Sequence, residues 1–477
     1  MRTIVAMVMA GALGVVSIAA QKPDRSAPPA LGPAPSLRLP PVQKFTLANG
    51  LPVWLVEQHE VPLVQVNLVV RTGSSADPFG AFGLASLTAA MIDEGAGGRG
   101  ALDLADAFDM LGAQLGTTSS FDASSVRLSV PVARLAEALP LVADVVQRPD
   151  FPGAELERLR EERLTSLLQA RDNPAAIVQA AFPRLLFGPE HRYGTSPTGT
   201  AASTTTMRVE DLRSFHGAHY RPDNAALLVV GDITAADARP LLERHFGGWT
   251  VSGARPEVAA VPAARQPARR QVYLIDKPGA AQSQVRVGGI GVPRSTADYF
   301  PLLVMNTVLG GSFTSRLNTN LREKHGYAYG AGSTFDMRRT AGPFFATAGV
   351  QTDKTAEAIT EFFRELNGIL APLSAEELDK ARNYLALGFP RDFETTGDLA
   401  RRLEELYVFD LPEEYYAEYV ARVQAVTAAD VARVAKAYIQ PDRFAVVVVG
   451  DRSVIEAPVR ALKLGTVTIV PLDEVFK

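Results

Sequence analysis

The chain has 477 residues, 47% hydrophobic and 21% charged, the balance of a folded protein long enough for two or three domains. A net charge of −4 with no dense basic run excludes a nucleic-acid binder and offers no funnel for acidic substrates. The lack of any cysteine excludes disulfides, cysteine-ligated zinc, a thiol nucleophile and a lipidated cysteine.

Arg2 precedes an apolar run from Ile4 to Ala20 that contains Gly11, Gly14 and Ser17 and ends in Ala19-Ala20. This is the pattern of a secretory signal peptide over residues 1–20, which predicts a bacterial periplasmic protein with no membrane span after cleavage. The run also approaches the length that spans a bilayer, so an uncleaved anchor is the competing reading. Residues 21–41 carry Pro23, Pro28, Pro29, Pro33, Pro35, Pro40 and Pro41 and read as an extended or disordered tether. Beyond Phe45, the Asn49-Gly50 turn signal leads into two predicted strands, Leu51–Val56 and Leu63–Val70.

An internal repeat organises the rest. Val53-Trp54-Leu55-Val56 matches Val272-Tyr273-Leu274-Ile275, and Leu135-Ala136-Glu137-Ala138-Leu139 matches Thr355-Ala356-Glu357-Ala358-Ile359. Pro222-Asp223 with Val229-Val230-Gly231-Asp232 matches Pro441-Asp442 with Val448-Val449-Gly450-Asp451, at the same offset to within a residue. The reading is an amino-terminal repeat over 42–252, a loose Pro- and Ala-rich linker over 253–270, and a carboxy-terminal repeat over 271–477. Each repeat has the predicted order strand, strand, helix, helix, strand, helix, then a long helical region leading to a buried strand. That order predicts an α+β fold, each repeat a mixed, mostly antiparallel sheet with helices on one face, and a cavity between the halves.

In the first repeat, Glu155, Glu157, Glu161 and Glu162 alternate with Arg158, Arg160 and Arg163 as on a solvated helix. His216 and His219 sit at i and i+3 with no nearby carboxylate and suit a helix end rather than a metal. In the second repeat, Gly310-Gly311 ends a helix. Arg322 and Tyr329 then stand seven residues apart across a Gly-bracketed turn. A guanidinium fork and a phenol brought to one side of a groove suit a peptide: one grips a carbonyl or carboxylate, the other donates to an oxyanion. A surface Arg and a packing Tyr are the plainer alternative.

Further segments fall in a telling order: Gly73-Ser74, Gly83-Leu84-Ala85, Asp172-Asn173-Pro174, His191-Arg192-Tyr193-Gly194 with Gly199-Thr200, Tyr220-Arg221-Pro222, and Ser315-Arg316-Leu317 with Leu321-Arg322-Glu323-Lys324. Together they make the chain resemble the pitrilysin (insulinase) family of inverted-zincin metallopeptidases, including mitochondrial-processing-peptidase-like members. The resemblance implies a clamshell-like half of a dimer. Active relatives carry His-x-x-Glu-His on the first helix, two imidazoles for zinc and a carboxylate for its water. Here those positions read Ser86-Leu87-Thr88-Ala89-Ala90, so Ser86, Ala89 and Ala90 are degenerate metal positions. The third ligand's region, around Ser166 and Leu167, has no carboxylate either. The chain is thus expected to bind no metal or other cofactor of its own. The family's Arg/Tyr pair falls on Arg322 and Tyr329. The resemblance therefore implies the non-zinc-binding subunit of a heterodimeric zinc metallopeptidase, inactive alone. Its partner would be a homologous subunit with an intact motif and zinc, and its substrates extended peptides. The alternative is a catalytically inactive scaffold or peptide-binding protein of the same fold.

Overall fold

A computed structural model describes residues 39–258 and 260–477. The expected signal peptide, and all of the Pro-rich segment except residues 39–41, lie outside the described residues. The first half opens with β1 (Gln43–Thr46), β2 (Pro52–Glu57) and β3 (Leu63–Val70), then α1 (Leu84–Met91), the tiny hairpin β4 (Gly95–Ala96) and β5 (Arg99–Gly100), and α2 (Ala101–Asp109). A hairpin follows, β6 (Gln114–Ser119) and β7 (Ser124–Pro131). The chain then runs through α3 (Leu135–Gln147), α4 (Gly153–Ala170), α5 (Pro174–Phe187), α6 (Ala201–Thr206) and α7 (Val209–His219) to β8 (Ala225–Gly231) and α8 (Ala235–Phe246).

The second half repeats the plan. It has β9 (Gln271–Asp276), β10 (Gln282–Ile290), α9 (Tyr299–Leu309), the short α10 (Arg316–Asn318), and the hairpin β11 (Ala328–Phe335) and β12 (Pro343–Gln351). Helices α11 (Thr355–Gly368), α12 (Ala375–Gly388), α13 (Thr396–Val408), α14 (Tyr419–Ala425) and α15 (Ala428–Tyr438) lead to β13 (Ala445–Gly450) and α16 (Arg452–Ala461). The chain finishes with β14 (Val467–Ile469) and α17 (Leu472–Val475).

One strand order occurs twice. The first sheet runs β1-β2-β8-β3-β7-β6 and the second β11-β12-β10-β13-β9-β14, so β2-β8-β3-β7-β6 maps onto β9-β13-β10-β12-β11. Only β2 with β8, and β9 with β13 and β14, pair parallel. The sheets are mixed and mostly antiparallel. Where the spacing predicts one strand between the second and third helices, the structure has a hairpin in each half.

The central strands are buried on both faces: every residue of β8 and β13 is shielded from solvent. One face of the first sheet packs on its own helices, Leu55, Leu68, Leu227 and Val229 meeting Leu87, Met91, Leu139, Phe215 and Phe246. The other face, with Val69, Leu228 and Val230, is covered by Leu399, Leu403 and Leu406 of α13 from the second half. The exchange is reciprocal. Ile177, Val178, Ala181 and Phe182 of α5 cover Ile275, Val447 and Val449 of the second sheet. Polar contacts seal one crossing: Glu404 on α13 accepts from Ser125 Oγ at 2.7 Å and from Arg127 Nη2 at 3.1 Å.

The link between the halves forms no helix or strand among its described residues, yet it is not loose. Arg221 Nη2 donates to Gly253 O at 2.8 Å, Ile290 N to Gln266 Oε1 at 2.6 Å, and Arg443 Nε to Pro267 O at 2.9 Å. Proline and alanine gave no periodic stripe, and the strapping comes from Arg221, Arg443 and the Ile290 backbone, all outside the linker.

Candidate functional site

The structure builds two separate half-sites, each behind the open edge strand of its sheet. The first is α1, which packs behind β6. Gly83 enters it at φ +102°, where a Cβ would lie 2.5 Å from Thr198 O. Asp77 then caps the helix, accepting from Gly83 N and Ala85 N at 2.8 Å each. Burial pushes the Asp77 carboxyl up, and Arg192, paired to it at 3.0 Å, opposes that shift.

This well-fixed helix carries Ser86, Ala89 and Ala90 on one face, the i, i+3, i+4 spacing that two imidazoles and a carboxylate would need. One hydroxyl and two methyl groups do not fit a metal. Among the described residues, no group of three or more His, Asp or Glu side chains could hold one. Ser166 is exposed and Leu167 offers only carbon. Instead a cation occupies this face. Arg163 of α4 donates through Nη2 to Ser86 Oγ at 3.2 Å and through Nη1 to Gly83 O at 3.2 Å and Thr198 O at 3.3 Å. Burial pulls its pKa down to about 10 while Asp77 holds it up, so it is charged at neutral pH. Sequence alternation reads Arg163 as part of a solvated face; the structure corrects this. The one local signal was its place one turn before Ser166 on α4.

The second half-site begins at α10. Arg316 pairs through Nε and Nη2 with Glu377 of α12 at 2.7 and 3.0 Å, so it anchors the segment. The helix then widens into a π-helical turn, Thr319–Lys324, a form frequent at functional sites. Gly326, at φ +64°, turns the chain into β11. The pairing of β11 with β12 slips between Ala328 and Ala331, so Tyr329 and Gly330 bulge out of the ladder. Asn318 Oδ1 takes the Ala331 N–H at 3.0 Å, and Asn318 Nδ2 donates to Phe313 O at 2.6 Å. One asparagine thus ties the bulge to the glycine-rich loop. Gly310 allows the fit: a Cβ there would lie 2.3 Å from Ser333 N of β11.

The result is a sandwich. The Arg322 guanidinium lies 4.6 Å from the centroid of Phe313 and 5.2 Å from that of Tyr329. Both rings are exposed, Phe313 at 64% and Tyr329 at 86%. Apart from an ion pair of Arg322 Nε with Glu323 at 3.2 Å, no polar partner among the described residues engages Arg322 or the Tyr329 hydroxyl. The pair predicted from spacing is therefore adjacent and unspent. Phe313 was missed, since an isolated aromatic in a glycine-rich loop carries no pattern. No hydrogen bond, ion pair or ring contact recorded among the described residues joins this pair to Ser86, Ala89 or Ala90.

Comparison with known proteins places the family and the fold. Residues 53–190 match the family model for insulinase (peptidase family M16), and residues 206–385 match that for the peptidase M16 inactive domain. The chain belongs to the insulinase (M16) peptidase family. Among its relatives, an uncharacterized zinc protease of Mycobacterium tuberculosis (strain ATCC 25618 / H37Rv) is 26% identical over 354 residues, covering 74% of this chain and 79% of that one. The uncharacterized zinc protease YmxG of Bacillus subtilis (strain 168) is 23% identical over 366 residues, covering 76% and 87%. Among M16 structures, the peptidase M16 inactive domain from Pseudomonas fluorescens superposes with a TM-score of 0.80 at 26% identity, covering 86% of this chain and 98% of that one. The first half of the periplasmic protease PqqL from Escherichia coli shares the fold, with a TM-score of 0.69, 17% identity and coverage of 91% and 100%.

Proposed function

We propose that this chain is the non-zinc-binding subunit of a two-chain zinc metallopeptidase, working in trans with a homologous M16 partner. The partner's intact His-x-x-Glu-His helix would bring the zinc and the water-activating carboxylate. One observation carries the reading: half-buried Arg322 and exposed Tyr329 stand adjacent, with the terminal guanidinium nitrogens and the phenol hydroxyl free of polar partners among the described residues, whereas Ser86, Ala89 and Ala90 offer a metal nothing. In the assembled enzyme the Tyr329 hydroxyl donates to the oxyanion of the tetrahedral intermediate, and Arg322 holds a substrate carbonyl beside it. The Phe313 and Tyr329 rings keep the guanidinium in place. An extended peptide adds to an open sheet edge, where β6 and β11 leave backbone groups unpaired. Periplasmic residence is supported by the apolar amino terminus and by the PqqL likeness.

The test is a peptide-cleavage assay with this chain alone, with zinc added, and with a zinc-bearing M16 partner. Cleavage is expected only with the partner and is abolished by chelation. Tyr329→Phe then lowers turnover by about 10²–10³, roughly 3–4 kcal/mol. Zinc-dependent cleavage by the single chain defeats the proposal. Unchanged rates in both Arg322→Ala and Tyr329→Phe would leave the scaffold or peptide-holding role in its place.

A further inference from the structure

A cavity of about 880 Å³ lies between the halves, within the size range of sites for small organic ligands. Arg322, Tyr329, Ser86, Ala89 and Ala90 are not in its walls, although it borders the first half-site at Leu167 and at Thr198, whose carbonyl Arg163 bonds. One wall is apolar, made of Leu164, Leu167 and Leu168 of α4 with Phe182 of α5 and Phe345 of β12. The charges in the lining are unequal. Arg171, Arg184, Arg286, Arg338 and Lys477 line it with one acidic side chain, Asp336, which Arg338 already engages through Nε at 3.1 Å, while Arg171 and Lys477 are paired with Asp473 and Glu474, which are not in its walls.

Arg286 is the unusual member. It rises from β10 and stacks on Phe345, 4.1 Å from the ring centroid, with Phe182 at 5.7 Å. No hydrogen bond or ion pair to Arg286 is present among the described residues, and its Nε is buried without a partner. Nη1 of Arg338 is buried and unpartnered as well. Burial alone draws Arg286 down to about 10, so it still carries its charge at neutral pH. A guanidinium whose Nε is buried with no acid beside it is costly in an apolar wall unless an anion satisfies it.

We infer that this cavity binds an amphipathic carboxylate, its anionic head on Arg286 with Arg338 flanking, and its apolar chain along Leu164, Leu167 and Phe182. Two sources share this chemistry: a medium-chain fatty acid, and the free carboxy terminus of a peptide ending in apolar residues. The inference stands whether or not the chain works with a zinc-bearing partner.

Titration calorimetry on the full chain uses decanoate, 1-decanol, and N-acetyl-Leu-Leu-Phe as free acid and as amide. At least one carboxylate is expected to bind about ten- to a hundredfold tighter than its neutral counterpart, the span of a charge-assisted pair. Decanoate binding points to a fatty acid and acid-peptide binding to a peptide terminus; either supports the site. Arg286→Met keeps the stem on Phe345 and is expected to remove about the same factor. Gln179→Glu, at an exposed position of the cavity wall, adds a repelling charge without touching the core. Carboxylates that bind no tighter than decanol and the amide overturn the inference. So does affinity unchanged within about twofold in folded Arg286→Met or, if that variant does not fold, in Gln179→Glu.

Discussion

Arg163 changes what loss of the metal motif means at the level of single side chains. The helix face that would hold a dication instead meets a fixed monocation, bonded to Ser86, Gly83 and Thr198. Rebuilding the ligands is therefore not enough. Ser86→His/Ala89→Glu/Ala90→His with Arg163 retained is expected to bind zinc weakly, because at about 4 Å a like charge costs roughly 4 kcal/mol per unit charge at an effective dielectric of about 20. Adding Arg163→Ala should raise zinc affinity about tenfold or more by calorimetry; no change would mean that Arg163 does not guard the face. Two histidines give a pH prediction. Burial pulls both His216 and His219 down to about 4. The unfolded chain then takes up protons that the folded chain refuses. Stability is full above about 6.5 and falls as pH drops towards 4. The urea midpoint should follow that course, and His216→Gln/His219→Gln should flatten it across the same window.

At the level of elements, the second half-site depends on a loop crossing a strand at close range. Gly310→Ala would place a methyl group 2.3 Å from Ser333 N, so the loop must lift from β11 and carry Phe313 away from Arg322. A stability loss of about 1–3 kcal/mol is expected by denaturant titration, together with weaker cleavage in the two-chain assay. The element pattern was partly legible in the chain. Strands such as Val53–Val56 and Val446–Val449 announce themselves because they are wholly apolar, and a constant offset pairs Val53–Val56 with Val272–Ile275 and Val229-Val230 with Val448-Val449. The edge strands did not: β6 reads Gln-Leu-Gly-Thr-Thr-Ser and β11 is rich in Gly and Ala. Half-solvated and bulged, they lack apolar alternation, so each hairpin reads as a single strand. The blank metal motif was visible because its spacing is local to one helix. Arg163 was not, since its neighbours Ser86 and Thr198 are set only by tertiary folding.

On the scale of the whole molecule, the exchanged helices make each sheet depend on the other half. Leu403 is 5% exposed and sits in the cluster with Leu228 and Val69 of the first sheet. Leu403→Ala should cost about 2–5 kcal/mol. Because α5 returns the favour, hydrogen exchange should show protection falling together in β8 and β13; loss confined to one half would refute the coupling. Such pairing was beyond the reach of pattern: an amphipathic stripe on α13 states that one face is buried, but not beneath which sheet.

That crossover also imposes a timetable on biogenesis. The first 250 or so residues can emerge and gather their own helices, yet the face of the first sheet holding Leu228 and Val230 stays bare until Thr396–Val408 has been made. An intermediate of that length presents a sticky apolar slab to its surroundings, and in the cell it calls for a holding chaperone until the closing helix arrives.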